Sequence, residues 1–199
     1  MNTPLHGKSF TEWDNFIRKQ WSGIKIPPFT GKTGTDKEEI RKTCKWQPPK
    51  HGWFKLNFDG ASRGNPGTAG AGCIIHLDKG KSIGSKSIHL GQTTNNTDEF
   101  LSLIEGLKMC RELRIHKVEI EGDSALIINA IRNKGMSNWK LKGILDKALE
   151  LLNYFTDFTI NHIYREANLA ADALANLGAD GITRTTINIS DFTDKEQVG

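Results

Sequence analysis

The chain has 199 residues, of which 37% are hydrophobic and 25% charged, a composition typical of a folded globular protein. It contains no run of 18 apolar residues, and its first thirty residues lack the apolar core of a secretory signal. The three cysteines, Cys44, Cys73 and Cys110, are too widely spaced for a zinc-binding pair and argue against a disulfide framework. We therefore expect an intracellular protein without a membrane span, in the nucleus or the cytoplasm.

The positive charge lies in one quarter of the chain. Residues 1–50 hold ten Lys and Arg against five Asp and Glu, whereas residues 51–180 hold fifteen of each. Residues 181–199 hold two against three and are mostly polar. This distribution excludes a uniformly basic surface for nucleic acid but permits a local basic patch. We therefore divide the chain into a basic, tryptophan-containing extension or linker (1–50), a main domain (51–180) and a polar tail (181–199).

Hydrophobic periodicity predicts the elements in chain order. In the extension, helical spacing predicts short helices at about 9–20 and 36–45. The main domain is predicted to contain strands at 54–59, 69–77 and 82–90, a helix at 97–113, a strand at 117–122, helices at 124–133 and 139–155, a strand at 158–164 and a helix at 167–177. The Gly- and Asn-rich run at 60–67 predicts a turn. The order βββ-α-β-α-α-β-α predicts an α/β fold with a five-stranded mixed sheet flanked by helices, followed by a tail that frays.

Four carboxylates fall at element ends or on the last helix, and each has an ordinary structural interpretation. Asp59 ends a strand and is a candidate turn residue. Glu99 lies three residues after Asn96, which is the spacing of a helix capping box. Asp123 follows a strand and is a candidate N-cap, although the carboxyl ends of strands are also where α/β proteins build sites. Asp172 lies on the polar side of the last helix, where a solvated face would explain it.

Together the four carboxylates have a chemical interpretation that none has alone. If they met in space they would repel one another strongly unless cations lay among them. Oxygen ligands without Cys or a His cluster favour Mg²⁺ or Mn²⁺. Two such ions clamp the attacking and leaving oxygens of a phosphodiester displacement. Periodicity alone does not show whether the four side chains converge.

Four segments of the chain resemble, in the same order, the motifs of the type 1 ribonuclease H family. They are KLNFDGASRGNPGTAGAG, TTNNTDEFLSLIEGL, KVEIEGDS and HIYREANLAADALANLG. The resemblance covers about residues 51–180 and is greatest to the plant reverse-transcriptase-like form found in or derived from retrotransposons. It implies a ribonuclease H-like fold and endonucleolytic hydrolysis of the RNA strand of RNA–DNA hybrids. It also implies two Mg²⁺ ions, with Mn²⁺ as a substitute, and products with 5′-phosphate ends.

The resemblance implies a role for each acidic residue. Asp59 matches a carboxylate that bridges both metal ions. Glu99 and Asp123 match the carboxylates that hold the ion on the leaving-group side, and Asp172 matches the one on the nucleophile side. His162, ten residues before Asp172, matches a mobile histidine that assists proton transfer or product departure; the alternative is a strand histidine without a special role.

The resemblance also implies contacts with the substrate. Asn65 matches a turn residue that contacts RNA, and Asn95 and Asn96 match a pair that recognises ribose 2′-hydroxyls. Thr94 matches a contact to a DNA phosphate. An Asn amide suits the recognition of RNA because it offers both a donor and an acceptor to the 2′-hydroxyl.

The chain departs from some relatives between Asp123 and Asp172, where it has no clustered basic protrusion to grip a hybrid. Residues 1–50 are then a candidate grip on nucleic acid, a linker left from a larger polyprotein, or a contact for a protein partner. The alternative function that stays open is a catalytically weak or inactive module, derived from a retroelement, that binds nucleic acid or a protein partner.

Overall fold

A six-stranded mixed sheet forms the centre of the computed structural model, which describes residues 46–188. The helices expected at 9–20 and 36–45 lie outside the described residues. The strands are β1 (Phe54–Gly64), β2 (Gly67–His76), β3 (Ser82–Thr93), β4 (Lys117–Gly122), β5 (Asp157–His162) and β6 (Arg184–Ile187). The helices are α1 (Asn95–Glu112), α2 (Ala125–Asn133), α3 (Lys142–Leu152) and α4 (Leu169–Ala179), with 3₁₀ turns at Trp139–Leu141 and Arg165–Ala167. Between residues 46 and 188, no helix is long and apolar enough to cross a membrane.

The strand order is β5-β4-β1-β2-β3-β6. β1 and β4 are parallel, as are β4 and β5, and the remaining neighbours pair antiparallel. The helices α1, α2 and α3 cover one face of the sheet and enclose the main hydrophobic core. This arrangement places the carboxyl ends of the three parallel strands at one edge, which is where α/β proteins build sites.

Strand β1 has both of its faces buried along most of its length. Its alternate side chains point to opposite faces, and those on the core face are Phe54, Leu56 and Phe58. Those on the opposite face are Lys55, Asn57 and Asp59, all of which are buried as well. Polar groups that are removed from water in this way need partners within the protein. The second face of β1 is therefore the part of the molecule whose polar contacts require explanation.

Helix α4 covers this second face over β1, β2 and β3. Its Leu174 packs on Ile74, whose side chain points away from the main core. The helix backbone lies directly on the strand because β2 has no side chain at Gly72. A Cβ at Gly72 would overlap the main-chain nitrogen of Ala175. This close approach fixes the position of Asp172, in the first turn of α4, relative to the sheet.

The first hairpin is longer than the sequence predicted. β1 does not end at Asp59 but continues to Gly64, and only Asn65 and Pro66 form the turn before β2. The glycine-rich run at 60–67 is therefore mostly paired strand. Pairing satisfies the backbone N–H and C=O groups that an open loop would leave to water, and the small side chains allow neighbouring helices to approach.

The prediction of five strands was incomplete, because β6 lies in the tail that was expected to fray. β6 pairs antiparallel with β3, and the main-chain N–H of His89 donates to the Thr183 hydroxyl just before it. Residues 182–187 are rich in Ile and Thr, which favour strands. The segment lacks a regular apolar alternation because it is an exposed edge strand, so the pattern that identifies half-buried strands is weak here.

We predict that Gly72→Ala lowers the free energy of unfolding by roughly 1–3 kcal/mol, as overpacking does elsewhere. The new methyl group would have to push α4 away from β2. Urea denaturation measures the effect. Gly143→Ala is the control, because a Cβ at Gly143, near the start of α3, meets nothing within 4 Å. The control should be neutral or slightly stabilising, and equal stability of the Gly72 variant and the parent would contradict the prediction.

Candidate active site

Three of the predicted carboxylates lie together at the carboxyl ends of the parallel strands. Asp59 is on β1, Glu99 is in α1, and Asp123 directly follows β4. One oxygen from each lies within 4.8 Å of the other two. The parallel register pairs Asn57 with Glu121, so the residues two positions further along each strand, Asp59 and Asp123, lie side by side.

Glu99 reaches the two strand residues because α1 begins directly against β1. A Cβ at Gly60 would lie 2.6 Å from the main-chain nitrogen of Glu99, so a larger residue there would separate helix from strand. The Gly60 main chain also lowers the pKa of the Glu99 carboxyl, which partly offsets the effect of burial. One turn later in α1, the buried Ser102 hydroxyl donates to the main-chain oxygen of Asp59. Helix and strand are therefore joined on both sides of the acidic pair.

The pKa values of Asp59 and Glu99 are raised, chiefly by removal from water and further by the charges of the neighbouring carboxylates. Asp59 is only 3% exposed, and burial raises its pKa well above the usual range, with the charges of the neighbouring carboxylates raising it further. Burial likewise raises the pKa of Glu99, and the charges of Asp123 and Asp98 add to the effect. Such a cluster is stable in its ionised form only with a positive charge among the oxygens.

The donor set fits a hard divalent cation. Each of the three residues offers a carboxylate oxygen, and oxygen is the ligand that Mg²⁺ and Mn²⁺ prefer. The Oε2 atom of Glu99 is buried and has no hydrogen-bond partner within residues 46–188. A buried, unpartnered carboxylate oxygen beside two other carboxylates is the arrangement that a bound cation would complete.

Asp172 lies beside these three residues but is engaged differently. Its charge contributes to the raised pKa of Asp59, while its own carboxylate forms an ion pair with Arg165. That hydrogen bond raises the pKa of Arg165, and the Arg165 charge in turn opposes the rise in the pKa of Glu99. Sequence analysis did not single out Arg165. The feature that points to it is a basic residue seven positions before a predicted acidic ligand.

His162 lies next to the cluster, at the end of β5. Its register partner is Gly122, the last residue of β4, and its Nε2 lies 3.0 Å from the main-chain oxygen of Asp123. A carbonyl oxygen only accepts, so this contact places the proton on Nε2 and leaves Nδ1 as the acceptor in the neutral ring. The side chain is exposed and makes an edge-on contact with the Tyr164 ring.

The predicted substrate-contact residues form one exposed surface at the start of α1 and the turn after β1. Asn65, Thr94, Asn95 and Asn96 are all exposed. The Asn65 side chain accepts a hydrogen bond from the main-chain N–H of Asn95 at 3.3 Å, which joins the turn to the helix start. The structure therefore brings together residues thirty positions apart, at the end of α1 that also carries Glu99.

The structure does not support the interpretation of Glu99 and Asp123 as helix-capping residues. α1 starts at Asn95, after Thr94, and has no side-chain cap. Ser124, rather than Asp123, directly precedes α2, which also lacks a side-chain cap. Neither carboxylate therefore serves as a helix cap, and their shared position has to be explained in another way.

The strand order and the acidic cluster at the ends of parallel strands define a protein of the ribonuclease H-like class. The family model described as reverse transcriptase-like matches residues 57–178. Ribonuclease HI of Halobacterium salinarum is 36% identical over 135 residues, covering 67% of this chain and 68% of that protein. The chain therefore belongs to the reverse transcriptase-like branch of the ribonuclease H family.

Solved structures agree with this assignment and confirm the predicted fold. The ribonuclease H1 structure from H. salinarum matches with a TM-score of 0.63 at 34% identity, over 65% of this chain and 99% of that chain. LC11 ribonuclease H1, isolated from compost and solved in complex with an RNA/DNA hybrid, matches with a TM-score of 0.61 at 30% identity, over 64% and 97%. A protein of Arabidopsis thaliana whose name includes ribonuclease H is 33% identical over 169 residues. The match covers 85% of this chain but only 26% of that protein's length.

We predict that the metal-free protein loses stability as the pH rises. The raised pKa values of Asp59 and Glu99 mean that the folded protein still holds protons that the unfolded chain releases above about pH 4. The free energy of unfolding in EDTA should therefore fall as the pH is raised from about 5 to 8. Asp59→Asn should reduce this fall.

Urea denaturation at stepped pH measures the slope. Asp146→Asn is the matched control, because Asp146 is exposed on α3 and pairs only locally with Lys142. In Asp146→Asn, the free energy of unfolding should change with pH as it does in the parent. The prediction is wrong if the Asp59 variant and the parent show the same dependence on pH.

Proposed function

We propose that this chain is an endonuclease that hydrolyses the RNA strand of RNA–DNA hybrids with two divalent metal ions and leaves 5′-phosphate ends. The observation that carries the proposal is the convergence of Asp59, Glu99 and Asp123, with a buried unpartnered oxygen, at the ends of two parallel strands. Relatives named ribonuclease H, and the LC11 complex with a hybrid, support the substrate class.

Asp59, Glu99, Asp123 and Asp172 would hold the metal ions through carboxylate oxygens. When bound, Mg²⁺ or Mn²⁺ supplies the positive charge that stabilises the attacking and leaving oxygens of the phosphodiester. Asp59 and Glu99 release the protons that burial keeps on them, so metal binding should strengthen as the pH rises. Arg165 balances the charge of Asp172 and keeps its carboxylate ordered at the edge of the cluster.

In this proposal His162 handles a proton at the edge of the site. Its Nε2–H is directed to the Asp123 main-chain oxygen, so Nδ1 is the atom that takes up and returns a proton. The imidazole is exposed to solvent. This assigns His162 an assisting role rather than that of a metal ligand.

We further propose that the exposed surface at the start of α1 recognises the hybrid. The amides of Asn65, Asn95 and Asn96 would bond to ribose 2′-hydroxyls and the RNA strand, and the Thr94 hydroxyl to a phosphate of the DNA strand. Residues 51–180 carry no net charge, so we assign additional phosphate contacts to the basic residues 1–50. A contact between residues 1–50 and a protein partner stays a prediction.

The alternative, an inactive binding module, fits the cluster less well. Carboxyl groups with raised pKa values, such as those of Asp59 and Glu99, destabilise the fold at neutral pH, and a binding surface for nucleic acid gains nothing from negative charge. The cluster is therefore more easily explained as a site for cations that take part in a reaction.

We predict that Asp59→Asn lowers the turnover of a labelled RNA–DNA hybrid by at least about a hundredfold, in line with the loss of a group that stabilises the transition state. Asp146→Asn should cleave like the parent. Single-stranded RNA of the same sequence tests the substrate class and should remain intact. Turnover of the Asp59 variant within a fewfold of the parent, or equal cleavage of single-stranded RNA, would reject the proposed function.

We also predict that removal of residues 1–45 makes hybrid binding less sensitive to salt. The truncation removes nine Lys and Arg and five Asp and Glu. Each lost phosphate contact should reduce the slope of log affinity against log salt by roughly one unit. Salt titrations of both proteins on one hybrid measure the slopes, and identical slopes would show that the segment makes no phosphate contact.

A further inference from the structure

A buried polar network extends from the acidic cluster along the second face of β1. Lys55 and Asn57 share this face with Asp59, and each is only 2% exposed. The Lys55 ammonium lies 2.6 Å from Glu121 and 3.4 Å from Glu119, on the neighbouring strand β4. The proposed chemistry does not use Lys55, Asn57, Glu119 or Glu121, although burying a charge such as that of Lys55 is costly without good partners.

Trp46 fixes the orientation of the Asn57 amide at the centre of this network. Its indole nitrogen donates to Asn57 Oδ1 at 2.9 Å. Because an indole N–H can only donate, the oxygen of the amide must face Trp46 and the nitrogen must face away. Asn57 Nδ2 then donates to Glu121 at 3.3 Å and to Asn168 Oδ1 at 3.5 Å.

Asn168 connects the strand that carries Asp59 to the helix that carries Asp172. It is 1% exposed and directly precedes α4. Its side-chain nitrogen donates to the main-chain oxygen of Phe58 at 2.9 Å, one residue before Asp59. Its own main-chain oxygen accepts from the Asp172 N–H at 3.1 Å. The Asn168 side chain thus holds the start of α4 against the β1 backbone next to Asp59, and the ordinary helical bond to the Asp172 N–H continues that attachment into the first turn of α4.

We propose that Trp46, Asn57 and Asn168 form a positioning network that fixes Asp172 relative to Asp59 and thereby sets the metal affinity of the site. The inference rests on the proposed function, since it assumes that the carboxylates bind metal. The three residues act through the backbone, and none of them is a ligand. Metal affinity depends on such outer partners because ligands must be held within a fraction of an ångström of their bound positions.

The test uses three single variants of the full chain and one double variant, Trp46→Phe with Asn168→Ala. Trp46→Phe keeps an aromatic ring but removes the N–H that orients Asn57. Asn168→Ala removes the bond to Phe58. Trp53→Phe is the matched control, because the Trp53 ring contacts the Lys50 ammonium instead. Calorimetric titration with Mn²⁺, in the absence of nucleic acid, gives the metal affinity, and urea denaturation gives the stability of each variant.

We expect Mn²⁺ affinity to fall roughly three- to tenfold in Trp46→Phe and in Asn168→Ala, the range set by the loss of one or two hydrogen bonds. The Mn²⁺ affinity of the double variant should be only slightly below that of the single variant with the lower affinity, because both substitutions break the same network. Trp53→Phe should stay within about twofold of the parent.

Unchanged affinity in folded Trp46→Phe overturns the inference, as does an equal loss in Trp53→Phe. If Asn168→Ala does not fold, Trp46→Phe alone decides. If the parent binds Mn²⁺ but does not cleave a hybrid, the proposed function is wrong, and the measured Mn²⁺ affinities of the variants still test the positioning network. A parent that cleaves the hybrid, with variants of unchanged affinity, rejects only the network, and a parent that binds no Mn²⁺ rejects both.

Discussion

The close approach of three carboxylates is the constraint on which the rest of this structure depends. Asp59, Glu99 and Asp123 have oxygens within 4.8 Å of one another. Burial raises the pKa of Asp59 and of Glu99, and the charges of the neighbouring carboxylates raise both values further. A flexible scaffold would relieve the repulsion by moving the residues apart. The elements that carry them must therefore be joined rigidly to one another.

The rigidity comes from main-chain contacts at short range. Gly60 and Gly72 lack the side chains that would separate β1 from α1 and β2 from α4. Ser102 bonds the helix side of the site to the Asp59 backbone, and Asn168 bonds the α4 side to the Phe58 backbone. Asp59 is thus held through its own main chain and that of Phe58, while its carboxylate faces those of Glu99 and Asp123.

Local patterns predicted most of the central fold, whereas the grouping of the acidic residues was implied only by the resemblance of four motifs to a known family. Alternation identified the first half of β1, and most of the motif around Glu99 lies within α1. The exposed strand β6 was missed, because its pairing with β3 comes from tertiary contact rather than from apolar periodicity. Arg165 and Asn168 were missed for a related reason. Their partners, Asp172 and Phe58, are recognised only when α4 has been placed against the sheet.

The alternation along β1 also explains why one strand can serve both the core and the site. A shift of one residue in its pairing would turn Phe54, Leu56 and Phe58 toward the polar face and place Lys55, Asn57 and Asp59 in the apolar core. Both exchanges would be costly, since one exposes aromatic rings to the polar network and the other buries charge without partners. The polar side chains on this face are stabilised by hydrogen bonds and an ion pair with Trp46, Glu121 and Asn168. These contacts therefore help to specify the register of β1 from the face opposite to the core. The same register brings Asp59 beside Asp123, so the interactions that fix the fold of this strand also fix the geometry of the acidic cluster.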